Sequence, residues 1–188
     1  MKATAHSRVL FLAQSGIIAA LYVALTLLSS VFGLSGQNLI QFRLSEALTI
    51  LPFFTPAAIP GLTVGCLVAN ILTGSVPWDI AFGTLATLLG AVGTYLLRKH
   101  RFLVSIPPIL ANTLIVPFVI YYCYGLDASF SAFPVAVGLL LTAGCVFIGE
   151  FVCCGVLGTL LETVLIRNSR LFGNRPKTSS DQNPACKN

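Results

Sequence analysis

The sequence predicts an all-α integral membrane protein with six transmembrane helices. Three observations point there. About 56% of the 188 residues are hydrophobic and only 9% are charged, against roughly 25% charge in soluble domains. The apolar residues form long continuous runs, which favours helices over the alternation of a membrane barrel. The basic residues cluster at the ends of those runs, as in cytoplasmic loops. At about 20 residues per span, with room for loops and a tail, the chain holds roughly five to seven spans. Such a composition excludes a cytosolic enzyme, a disordered protein and a nucleic-acid binder.

Residues 9–32 read as the first span. The run is too long, and leads too directly into further membrane sequence, to be a cleaved signal peptide. Residues 33–42, GLSGQNLIQF, form a loop. The stretch 43–73 is apolar but broken by Pro52, Pro56 and Pro60. As one span its 31 residues exceed the usual range of about 17–25. Each proline removes a backbone donor and disfavours helix just before it. We therefore read two short spans, about 43–55 and 57–73, turned tightly at 52–60. Three further spans follow at about 79–97, 103–124 and 133–166, making one membrane domain over 1–170. A polar cytoplasmic tail occupies 171–188. Six spans with both ends inside place ten of the eleven basic residues in the cytoplasm, including Arg98, Lys99 and Arg101. Five spans with the N-terminus outside would still place nine there.

Two helix faces carry small residues. Ala13, Gly16, Ala20 and Ala24 form a stripe on the first span; Gly138, Thr142, Cys145 and Gly149 repeat it in the last run. Such stripes let helices approach closely, either within the chain or with a partner.

Charged groups inside a bilayer are costly and mark functional candidates. Arg43 and Glu46, three apart, can pair on one helical face. Glu150 lies deep in the last run without an obvious basic partner, at about the depth of Asn112 in the preceding span. It suits either a cationic or donor-rich ligand or a protonated acid bonded to backbone. Asn70, Trp78 and Asp79 cluster at the outer ends of the third and fourth spans, on the side of Gln37, Asn38, Gln41, Arg43 and Glu46. Trp78 suits stacking on a flat heterocycle or anchoring at the interface. Asp127 and Glu162 read as solvated or interfacial. The six cysteines show no metal spacing, so no metal site is expected. There is no GxSxG, HExxH or P-loop, which argues against an enzyme and leaves any ATP-driven work to another chain.

At 40–73 the chain reads IQFRLSEALTILPFFTPAAIPGLTVGCLVANILTG, followed by WDIAFGTLATLLGA at 78–91, ANTLIVP at 111–117 and IGE at 148–150. These stretches closely resemble the QueT family, the queuosine-precursor substrate-binding (S) subunits of energy-coupling factor (ECF) transporters. The resemblance implies an S-component bundle of six helices in the cell membrane, both termini cytoplasmic, with a substrate cavity opening outward. It implies as partners a transmembrane coupling subunit and two ATPases, so that ATP is used by other chains and this one needs no cofactor. It maps the coupling-protein docking face onto Gly16, Ala20 and Ala24. The implied ligand is a 7-deazaguanine, foremost 7-aminomethyl-7-deazaguanine, with Glu150, Asn112, Glu46, Arg43, Asn70, Trp78 and Asp79 as candidate contacts. The alternatives are an S component for another vitamin or nucleobase-like micronutrient, an intramembrane enzyme and a structural membrane protein.

Overall fold

A computed structural model of the chain describes residues 5–34, 42–123 and 134–167. All regular structure among the described residues is helical. Helix α1 (Ala5–Val31) is followed by a 3-10 helix (Leu44–Phe53), α2 (Ala58–Leu72) and α3 (Pro77–Leu96). A single 3-10 turn (Arg101–Leu103) leads into α4 (Ile106–Cys123). A last run continues from α5 (Val135–Glu150) through a π-helical stretch (Phe151–Leu157) into α6 (Gly158–Arg167). Gln37, Asn38, Gln41, Asp127 and the tail 171–188 lie outside the described residues.

Four helical stretches among the described residues are long and apolar enough to cross a membrane: Ser7–Val31, Pro77–Leu96, Ile106–Cys123 and Val135–Arg167. Two shorter apolar helices, Leu44–Phe53 and Ala58–Leu72, lie between the first two. Contacts along α1 give their course. Thr26 donates to Ser45 at 2.8 Å and Ser15 to the carbonyl of Ala57 at 2.9 Å, so the 3-10 helix runs antiparallel to α1. Gly61 then meets Ile18, and Gly65 meets Tyr22, so α2 returns in the opposite direction. At about 2.0 Å rise per residue, ten 3-10 residues span roughly 20 Å, further than the same number would in α-helix. The hairpin turn falls at 54–57, among the prolines.

Helix ends follow local chemistry. Gly33 (φ 67°) and Gly74 (φ 70°) adopt the left-handed conformation just past α1 and α2. Around them Leu34 N–H bonds Ser29 O, and Ser75 N–H bonds Asn70 O, the six-to-one closure of a Schellman cap. Pro77 opens α3, where its missing N–H has no helical partner to lose.

Glycine sets the close packing. A Cβ on Gly61 would come within 2.8 Å of the Ser15 carbonyl oxygen, and one on Gly65 within 2.8 Å of Tyr22 Cβ. This is a GxxxG contact, which brings α1 and α2 backbone to backbone. Gly90 and Gly93 meet Pro108 and Pro107 of α4 in the same way. On α5, Gly138, Thr142 and Gly149 are buried and Cys145 partly so. That stripe faces the chain's own bundle, where Val146 joins Ala86, Val116 and Ile120. Glu162 departs from the solvated or interfacial place expected of it. It is 2% exposed and pairs with Arg101 at 3.0 Å, because the end of the last run packs beside the basic loop before α4.

Candidate functional site

The centre of the bundle is polar. Glu46, Tyr22, Asn112 and Glu150 are buried, as are Cys154, Thr49, Cys66 and Thr87. They come from six elements: α1, the 3-10 helix, and α2 to α5 with its π continuation. In a membrane-spanning bundle, buried groups of this kind pair with one another or face a ligand.

The two glutamates meet here. Ligand atoms of Glu46, Glu150 and Cys154 all lie within 4.8 Å of one another, the one set with metal-ligand geometry among the described residues. Tyr22 Oη donates to Glu46 Oε1 at 2.5 Å. Cys154 Sγ donates to Glu150 Oε2 at 3.1 Å, one turn along the same run. Thr49 caps the Glu46 carbonyl at 2.6 Å. The Asn112 carboxamide on α4 faces both carboxyl groups. Glu46 Oε2 is buried with no hydrogen-bond partner among the described residues. The cluster thus offers acceptors on three elements without a basic side chain bonded to either glutamate.

Arg43 belongs to a second, neighbouring group. Its helical pairing with Glu46 does not form. Arg43 sits before the 3-10 helix with extended backbone (φ −94°, ψ 94°), so the three-residue spacing does not stack it over Glu46. Its guanidinium instead reaches Asp79 of α3 at 3.4 Å. Asn70 completes this group. A Cβ on Gly83 would lie 3.3 Å from Asn70 Nδ2, 3.4 Å from Asp79 Oδ1 and 3.9 Å from Arg43 Nη1, so the glycine is the floor on which the three converge. Cys66 links the groups: Asn70 donates to its sulfur at 3.6 Å and Thr87 at 3.3 Å.

Trp78 is not brought to either group. Next to buried Asp79 on α3, it turns about 100° away and is 61% exposed. It stacks on Phe82 and lines an outward apolar groove with Leu114 and Phe118 of α4. Gly16, Ala20 and Ala24 are exposed on the outer face of α1, with nothing within 4 Å of a Cβ at Gly16. The buried face of α1 is the other one, carrying Ile18, Tyr22, Thr26 and Ser29.

Sequence reasoning missed Tyr22, Cys66, Thr87 and Cys154. A tyrosine mid-run in an apolar helix was the available signal for the first. The cysteines had none, because each becomes polar only through neighbours far along the chain.

Residues 12–167 match the family model described as "QueT transporter". The chain belongs to the QueT transporter family. The matched span contains every residue of both polar groups. One relative is the "Queuosine precursor transporter QueT" of Lactococcus lactis subsp. cremoris (strain MG1363), 42% identical over 74 residues. That stretch is 39% of this chain and 42% of the relative, so the chain spans under half the length of the curated protein it matches. No solved structure matches. QueT membership, with four described helices long and apolar enough to cross a bilayer, makes this a membrane protein of a transporter family.

Proposed function

We propose that this QueT-family chain is the substrate-binding subunit of an ECF-type transporter importing a queuosine precursor, with 7-aminomethyl-7-deazaguanine as the leading ligand. The observation that carries the reading is the buried polar centre of Glu46, Asn112 and Glu150, with Tyr22 beside them, inside an otherwise apolar bundle. A purine-like base offers several N–H donors and few apolar atoms. Burying it needs carboxylate and carboxamide acceptors at fixed places, since unpaired polar groups are expensive away from water. Arg43, Asp79 and Asn70 stand next to that centre and form the entrance on the outer side. The name of the Lactococcus lactis relative supports the ligand class.

In this reading the four long helices and the two short ones cross the cell membrane six times, with both termini in the cytoplasm. The chain carries out no covalent reaction. Two partner ATPases supply energy through a coupling subunit, which docks on the exposed small-residue face of Gly16, Ala20 and Ala24. That face is open while the opposite face of α1 is filled by its own bundle, as an external helix partner requires.

The test is ligand identification. Protein purified from cells that make or take up the precursor is denatured, and the released small molecules are identified by mass spectrometry. A 7-deazaguanine in the released fraction is the expected result. Recovery of a different vitamin, reproduced by direct titration, would move the chain to another ECF specificity.

A further inference from the structure

We propose that Glu46 and Glu150 together form a buried cation site that holds one primary ammonium group of the bound ligand. The inference rests on the transport reading above and assigns the ligand's positive end to one place in the bundle.

The argument begins with charge. Two carboxyl groups from distant parts of the chain are held with Cys154 inside one 4.8 Å cluster. Glu46 is 1% exposed and Glu150 8% exposed. The elements packed around them present Tyr22, Cys66, Asn112, Cys153 and Cys154, none of them basic. Arg43 is near enough for its charge to act on both acids, but its ion pair is with Asp79. Two buried acids in one site, neither of them bonded to a basic side chain, are a poor structural device and a good receptor for a cation.

Geometry then selects the kind of cation. Tyr22 fills Glu46 Oε1, and Cys154 fills Glu150 Oε2. Glu46 Oε2 is left buried with no partner among the described residues. The Asn112 side chain faces both acids from a third direction. A primary ammonium carries three N–H donors, and N–H···O bonds of about 2.8 Å let one nitrogen bridge oxygens on separate elements. Glu46, Glu150 and Asn112 supply three acceptors from the 3-10 helix, α5 and α4.

The experiment uses the full chain in lipid nanodiscs and two probes of the same ring system, 7-aminomethyl-7-deazaguanine and its neutral 7-cyano analogue. Isothermal titration gives the ratio of their affinities for the wild type, Glu46→Gln and Glu150→Gln. Each substitution is expected to reduce the preference for the ammonium probe tenfold or more, with an unchanged melting temperature reporting an intact fold; equal loss of both probes at an unchanged melting temperature would place the acids on the ring and overturn the cation site. If both probes bind and the ratio is unchanged in both variants, the cation site is wrong and the proposed function stands. If the wild type binds neither, the proposed function fails and takes the cation site with it. Binding of zinc or magnesium that competes with the ammonium probe, and is lost in both variants, would overturn the assignment in favour of a metal.

Discussion

At the residue scale, the buried charges of the site were legible in the sequence and their partners were not, while Glu162, read as solvated or interfacial, is buried. Glu150, Asn112, Glu46, Arg43 and Asp79 stand out as rare polar groups in apolar runs, because a bilayer makes each of them expensive. Pairing is a three-dimensional fact. Spacing suggested Arg43 with Glu46, but extended backbone at Arg43 swings its guanidinium across to Asp79 on another helix. The Arg43 side chain is 16% exposed and that of Asp79 3%, so the pair is only partly screened. Breaking a fully buried pair costs about 3–5 kcal/mol, and the part-exposed arginine lowers that to roughly 1–3 kcal/mol here. Asp79→Leu should therefore lower thermal stability in detergent. Adding Arg43→Leu should restore part of the loss, since the stranded charge is gone. Equal stability of the single and double variants would mean that the contact contributes nothing.

At the element scale, the prolines at 52, 56 and 60 marked the break in the 43–73 stretch, because each one removes a helical donor wherever it sits. That the first arm is a 3-10 helix was not legible, since apolar periodicity over ten residues does not separate it from α-helix. The face of α1 was legible only by half. The small-residue stripe was plain, yet the inner contact is made by Gly61 and Gly65 of α2 against Ser15, Ile18 and Tyr22. The two faces predict opposite outcomes. Gly65→Leu puts a side chain where Tyr22 Cβ already lies, and overpacking of this kind costs about 1–3 kcal/mol or more. Its yield and melting temperature should fall, and ligand binding with them, since Tyr22 holds Glu46. Ala20 and Ala24 line a shallow outer groove between α1 and α2 with Val64 and Val68, so Ala20→Leu and Ala24→Leu should leave folding and ligand binding intact while weakening copurification of the ATPase module. Wild-type copurification with both substitutions present would remove the docking assignment; loss of ligand binding would place the stripe inside the bundle.

At the scale of the whole molecule, charge placement and helix packing constrain the same quantity, the sidedness of the bundle. The 98–101 loop carries three basic residues between α3 and α4, and Arg101 is tied to Glu162 near the end of α6. The loop and the end of the last run therefore lie on one side. The hairpin turn at 54–57 meets Ser15 and Gln14 in the first half of α1, so α1 begins on the side of that turn. Positive charge is retained in the cytoplasm because translocating it is unfavourable. This predicts that position 100 and both ends face inward. The check is single cysteines at positions 2, 100 and 180 in a background lacking the native six, probed in intact cells with a membrane-impermeant thiol reagent and again after permeabilisation. All three should label only after permeabilisation. Labelling of position 100 in intact cells would overturn the six-crossing arrangement. Labelling of position 2 alone would favour five crossings and would overturn the antiparallel hairpin of the 3-10 helix and α2.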